Sequence, residues 1–408
     1  MTPSVLGSVT MGYQPLWNQW RQRSGVRLWV APYQGSAIDA QHLLNALQEL
    51  WPAGKETQLL SVRSPSLLGD LLEHAPPGGI WLEVPDAWLG DTTLAAQVRQ
   101  AHQRGRRLVW SGEVGSATSH ADVQGSFHKT LRTLSPLGAL TALQAALRRT
   151  QDAGSGSAGV VPSPVVPGAL YEGLASQALV EHALDHQAVW GVAGWPTEEM
   201  LYAYRYQQIQ PARQVLRDLV QAIDADESLE ALERRMGDEP LLIYRFLRFA
   251  NSAALALRNE TASVRQGLLN MGYSRLRAWL MEQIPHASSD ANLQPVRAAM
   301  VLRARIMERL SDAGAEDELR REVFLCGIFS QVDLLLGENL GAALHRLPLP
   351  GRVASAVLGQ TGPYAPWLQV ASALEGSSTK VIREVCKAHD LAADDVNRAL
   401  LRSLATSL

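Results

Sequence analysis

The chain has 408 residues, of which 46% are hydrophobic and 19% charged, with a formal net charge of −3. That length exceeds one ordinary core and suggests two or three domains of globular composition. The slight acidity gives no whole-chain sign of a nucleic-acid partner. Only two cysteines occur, Cys326 and Cys386, which excludes a disulfide framework and a cysteine-based zinc site.

The first twelve residues carry no positive charge and no long apolar stretch, so no secretory signal is read there. The uncharged run 153–171 is broken by Pro162, Pro164 and Pro167 and reads as a loop, not a membrane span. The expectation is a cytoplasmic protein without a membrane partner.

Short β-prone runs come first, at 9–13, 27–30, 58–62, 79–84 and 107–110. Each is mostly apolar and flanked by Gly or Pro, as expected of strands buried on both faces in a parallel sheet. Helical spacing fills 38–50, where Leu43, Leu44, Leu47 and Leu50 form one stripe, and 92–104, with Leu94, Val98 and Ala101. Further helices are expected at 137–150 and 169–184. Such alternation argues for an α/β barrel or a doubly wound sheet. Nine of the eleven tryptophans precede Pro196, and four of the five phenylalanines follow it, so composition changes where the strand signal fades.

After residue 207 helical spacing takes over, at 211–223, 228–237, 241–251, 274–282, 293–310, 320–336 and 381–389. Breaks fall at Gly237, Gly272, Pro285, Gly337, Pro348, Pro350 and Gly362. Short connections between helices of this length describe a compact all-α domain. The expected division is 1–206 for the α/β barrel and 207–408 for the all-helical domain with its C-terminal helices.

The segment 241–253, which contains Leu247, Asn251 and Ser252, followed by Ser263-Val264 and Met271-Gly272, resembles HDOD domains, a branch of the HD superfamily. Catalytic HD proteins hold a divalent metal on an adjacent His-Asp pair, because imidazole and carboxylate together bind the cation and acidify its water. The matching helix here reads 324–333, with Ser330 and Gln331 where the pair would stand. A neutral hydroxyl and amide cannot replace those ligands. Asp333, if the helix is continuous, points about 200° away from Gln331 and reads as a solvated residue.

The first half is similar to a degenerate EAL domain, the barrel that hydrolyses cyclic di-GMP. Tyr13-Gln14-Pro15-Leu16 resembles the opening strand, Trp81-Leu82-Glu83-Val84 the fourth-strand Glu segment, and Trp190-Gly191 the terminal Gln-Gly. Where that family has Glu-Ala-Leu, the chain reads Leu28-Trp29-Val30, and its paired aspartates reduce to Glu113; Lys129 matches the site lysine loosely. Glu83, Glu113 and Lys129 are therefore vestigial positions, since two-metal hydrolysis needs several converging carboxylates.

The resemblance implies a catalytically inactive signalling protein, not an enzyme, without cofactor or metal. Its partner would be another signalling protein in cyclic di-GMP-linked control of motility or biofilm. The alternative is a sensor that binds cyclic di-GMP without cleaving it.

His182 and His186 stand four apart, but Ala183 replaces the Glu of the zinc-protease pattern, which favours a polar helix face over a metal site. Between 241 and 281 lie Arg245, Arg248, Arg258, Arg265, Arg275 and Arg277 against the single acid Glu260, a local excess of five positive charges. Arginine suits phosphate and carboxylate, yet such residues commonly flank apolar stripes with wet heads. A surface for an anion or an acidic partner at Arg245, Arg248, Arg258 and Arg265 is the sharper reading. Nucleic acid ranks last because the total charge is acidic.

Overall fold

The computed structural model describes residues 4–33, 37–52, 54, 56–114, 122–152, 162–252, 260–311 and 316–406. Arg258 and Ala253 lie outside these residues. Two compact units are resolved: Met1–Glu199 together with Ala373–Ala405, and Met200–Ser372.

The first unit is a closed eight-stranded barrel in sequential order. Its strands are β1 (Val9–Trp17), β2 (Arg23–Pro32), β3 (Thr57–Val62), β4 (Trp81–Pro85), β5 (Leu108–Glu113), β6 (Lys129–Thr133), β7 (Leu170–Glu172) and β8 (Gly191–Ala193). Each of the five strands expected from apolar runs overlaps one of β1 to β5, although β4 and β5 begin later than expected, at Trp81 and Leu108. All neighbours pair in parallel except β1, which runs antiparallel to both β2 and β8. A wholly parallel sheet is therefore corrected at its first strand: β1 and β2 are joined by the short segment 18–22, too short for the crossover that parallel strands require.

Helices α1 (Ala40–Leu50), α2 (Pro65–His74), α3 (Thr92–Gln103), α4 (Pro136–Asp152), α5 (Gln177–Glu181) and α6 (Thr197–Tyr202) fill the connections and close the first half. Asp39 caps α1 by accepting from the His42 amide, and Ser64 caps α2, whose first residue is Pro65. The single helix expected over 169–184 is instead β7, then α5, then a π-helical turn at His182–His186. Leu170 and Tyr171 are drawn into the sheet because β6 and β8 offer ladders on both sides; tertiary pairing overrides local spacing.

The second unit is all-helical in its regular structure. It holds α7 (Arg213–Asp224), α8 (Leu229–Gly237), α9 (Pro240–Ala250), α10 (Val264–Met271), α11 (Tyr273–Gln283), α12 (Gln294–Leu310), α13 (Asp317–Phe329), α14 (Val332–Leu336), α15 (Leu340–Leu344), α16 (Gly351–Gly359) and most of α17 (Ala365–Leu374). At its centre α12 and α13 approach so closely that a Cβ on Gly327 would lie 2.4 Å from the Cα of Ala304.

The last helices, α18 (Thr379–Ala388) and α19 (Ala393–Ala405), group with the barrel and not with the helices that precede them. Arg383 of α18 donates to Thr10 Oγ1 at 2.7 Å and to the carbonyl oxygens of Ala31 and Pro32. Asn397 of α19 donates to the buried carbonyl oxygens of Leu6 and Val9. The chain thus leaves the barrel near residue 199 and returns at 373, where the sequence suggested one boundary at 206.

Among the described residues, no helix is long and apolar enough to cross a membrane.

Candidate functional site

Strand alternation puts every second residue on one face, and inside the barrel this sorts the side chains by chemistry. An apolar cluster of Leu16, Leu59, Trp81, Val109, Leu131, Leu170 and Ala193 fills the interior. Two residues further along five of those strands, on the same face, come Ser61, Glu83, Ser111, Thr133 and Glu172. The interior therefore turns polar toward the C-terminal ends of its parallel strands, the end where barrel enzymes carry their sites.

Arg27 of β2 reaches across this polar end. Its Nε and Nη2 donate to the two carboxylate oxygens of Glu83 at 2.7 and 2.6 Å, and its Nη1 donates to Glu172 Oε2 at 2.5 Å. Thr133 Oγ1 donates to the other Glu172 oxygen at 3.1 Å. Arg27 and Glu83 are almost wholly buried, while Glu172 remains about a third exposed. Burial alone would lower the Arg27 pKa, but the two carboxylates outweigh it and raise the value above that of an ordinary arginine. Trp29, two residues on, presents its ring 5.3 Å from the guanidinium. Its own indole N–H is buried and has no hydrogen-bond partner among the described residues.

Of the vestigial positions, Glu83 is in this cluster. Glu113 is exposed at the end of β5. Lys129 begins β6 and donates to the Gly168 carbonyl oxygen at 3.2 Å, and no hydrogen bond or ion pair joins it to Glu83 among the described residues. Arg27 and Glu172 escaped the sequence reading. The signal for Arg27 was a charge between Val26 and Leu28 in an otherwise apolar run, because a buried charge requires a partner.

The HDOD-like positions are engaged in building turns. Leu247 is buried in α9. Asn251 ends that helix: its amide donates to the carbonyl oxygens of Leu247 and Thr261, and its oxygen accepts from the Thr261 amide at 2.7 Å. It thereby ties the end of α9 to Thr261, two residues before the Ser263 cap of α10. Ser252 donates to the Phe249 carbonyl oxygen, and Ser263 caps α10 by accepting from the Gln266 amide. Gly272 separates α10 from α11 at φ 72° and ψ 162°, a conformation essentially confined to glycine.

Ser330 and Gln331 do not lie within one helix, as the sequence suggested. Ser330 ends α13 and Gln331 starts α14 in a non-helical conformation, so the helical angle between Gln331 and Asp333 does not apply. Ser330 Oγ satisfies the Gly327 carbonyl oxygen, which terminates the helix locally. The buried Arg303 of α12 faces both residues: Nη1 lies 3.5 Å from Ser330 Oγ, and the Gln331 amide oxygen, turned toward it, accepts at 3.1 and 3.2 Å. Asp333 is half-buried rather than solvated, and burial pushes its carboxyl up.

The arginine segment is divided among partners. Arg265 pairs with Glu230 and Glu233, and Arg277 with Asp224, acids that lie outside the 241–281 window. Arg245 turns inward to Gln210 and to the Ile209 carbonyl oxygen. Arg248 is exposed, with its guanidinium 5.8 Å from the Tyr244 ring. His182 is buried against Ser163, while His186 is exposed, so the π-turn separates the two.

Neither place where the resemblance implies a divalent metal fits one. At the barrel mouth the carboxylates are already engaged by a guanidinium, and beside Ser330 and Gln331 a second guanidinium stands. Among the described residues no group of three His, Cys, Asp or Glu side chains could hold a metal ion.

No protein-family model matches the chain. It is similar to the cyclic di-GMP phosphodiesterase CdgJ of Vibrio cholerae, with 23% identity over 172 residues, 42% of this chain and 40% of that protein. It is also similar to the uncharacterised protein YuxH of Bacillus subtilis, with 22% identity over 148 residues, 35% of this chain and 36% of that protein. The matches thus span about two fifths of those relatives' own lengths. A solved response regulator, MmoQ of Methylococcus capsulatus, aligns over 48% of this chain and 99% of its own at a TM-score of 0.39 and 18% identity. A relative named as a phosphodiesterase overturns the expectation that the chain is not an enzyme.

Proposed function

We propose that this chain acts in cyclic di-GMP signalling, with the nucleotide handled at the polar mouth of the barrel. The observation that carries the reading is the polar set Arg27, Glu83, Thr133 and Glu172 at the C-terminal ends of a closed barrel's strands. Similarity to a phosphodiesterase named for that nucleotide supports it. The unpartnered indole N–H of Trp29 supplies a donor in the same region.

The second unit is read as an HDOD-like domain that passes the signal to another signalling protein. The turn-forming roles of Asn251, Ser263 and Gly272 support this, since the same residues carried the resemblance. The domain division is then a barrel domain to about residue 199 and a helical domain after it, with 373–405 returning to the barrel.

The test is calorimetry of the full chain with cyclic di-GMP, paired with chromatography for linear product. Saturable heat, with or without turnover, that weakens at least about tenfold in Arg27→Ala supports the reading. Neither heat nor product at about 100 μM nucleotide, a concentration at which even weak binding is visible, sinks it.

A further inference from the structure

Glu83 and Glu172 both bond to the Arg27 guanidinium at the mouth of the barrel, and two carboxylates that share a site repel unless a cation lies between them. The cation present belongs to the chain. Every nitrogen of the Arg27 guanidinium is committed to these two acids: Nε and Nη2 to Glu83, and Nη1 to Glu172. The fork matches the Glu83 carboxylate in the bidentate manner that lysine cannot reproduce. Only 8% of the Arg27 side chain is exposed, and the Trp29 ring stands 5.3 Å from its guanidinium. An ion arriving from solvent would have to displace a buried, threefold hydrogen-bonded group.

We propose that the Arg27 guanidinium is the resident cation of the barrel mouth, holding Glu83 and Glu172 in place so that the mouth is built without a divalent ion. One positive charge against two negative ones leaves the three groups with a single net negative charge, where a divalent ion would leave none. Glu172, about a third exposed, is the acid of the pair that remains open to solvent. The inference concerns metal and not nucleotide, and it stands or falls independently of the signalling role.

The experiment uses the full chain with Mn²⁺ alone and no nucleotide, read by paramagnetic resonance of the free ion and by thermal unfolding. For the wild-type chain the expected result is a melting temperature that agrees in EDTA and in millimolar Mn²⁺ to within about 1 °C, a small shift on the usual stability scale. Arg27→Ala is expected to melt lower in EDTA by roughly 6 °C or more, as for a broken buried pair. It should also recover part of that loss in Mn²⁺ and bind the ion in a way that adding Glu83→Gln abolishes. Should Arg27→Ala fail to fold, the wild-type measurement together with Glu83→Gln still decides. Mn²⁺ binding by the wild type that Glu83→Gln removes, or a wild-type melting temperature that rises by several degrees in Mn²⁺, overturns the proposal. So does a folded Arg27→Ala that neither loses stability in EDTA nor responds to Mn²⁺.

Discussion

Arg27 grips Glu83 through two parallel hydrogen bonds, Nε to Oε2 at 2.7 Å and Nη2 to Oε1 at 2.6 Å, inside the barrel. Removing Glu83 leaves the buried Arg27 fork with Glu172 alone, and breaking a buried pair in this way typically costs about 3–5 kcal/mol. Glu83→Ala should destabilise the barrel unit by an amount of that order. Removing both charges together, with Arg27→Met and Glu83→Leu, should cost less than the sum of the single changes, because no wholly buried charge is left unpaired and Glu172, which also loses Arg27, is about a third exposed. Chemical denaturation of the four proteins gives the coupling; additive losses would mean that the two side chains do not act as a pair.

Gly327→Ala should disturb the helical unit, since the new methyl would sit 2.4 Å from the Ala304 backbone and 2.9 Å from its Cβ. Both helices must move apart, and overpacking of this kind costs about 1–3 kcal/mol or more. The loss should appear in a denaturant titration of the helical unit. An unchanged midpoint would show that α12 and α13 do not cross at this point.

Asn397 fastens α19 to the start of the barrel through the Leu6 and Val9 carbonyl oxygens, at 2.8 and 2.9 Å. Asn397→Ala leaves two buried acceptors unsatisfied, a loss of about 2 kcal/mol. The same change should expose the C-terminal segment to limited proteolysis. Cleavage at the wild-type rate would count against this attachment.

Glu239 and Arg297 lie wholly buried, 3.1 Å apart from Oε2 to Nε, but among the described residues neither Arg297 Nε nor Glu239 Oε1 has a hydrogen-bond partner. Burial therefore outweighs the pairing and pushes the Glu239 carboxyl up. A folded-state pKa above the unfolded one means that the group's contribution is complete below the ordinary glutamate range and fades as pH rises through the raised value. Relative to Glu239→Gln, the wild type should lose stability with rising pH above about 4.5, at no more than roughly 1.4 kcal/mol per pH unit. Parallel curves of stability against pH for the two proteins would contradict the assignment.

The long elements were legible in the sequence because each carries its own periodicity. Leu43, Leu44, Leu47 and Leu50 announced α1, and the apolar run at 58–62 announced β3. Strands β7 and β8 have three residues each, too few for a pattern, and exist because their neighbours supply the ladder. The helix break at Ser330 and Gln331 was hidden because neither residue is a strong breaker; the serine hydroxyl bonding back to Gly327 supplies it. At the site, Glu83 was found through resemblance alone, whereas Arg27 and Glu172 are 145 residues apart in sequence and only barrel closure brings them together. Lys129 failed to join them because position along a strand, not identity, decides which end of a barrel a side chain serves.

The central claim is that the barrel mouth, built around Arg27, takes cyclic di-GMP without needing a divalent ion. Titration calorimetry of the full chain with that nucleotide in EDTA tests it most directly. The account expects saturable heat that Mn²⁺ does not strengthen and that Arg27→Ala weakens by at least about tenfold, or about 1.4 kcal/mol. Binding that appears only when Mn²⁺ is added, or that persists undiminished in Arg27→Ala, would contradict it.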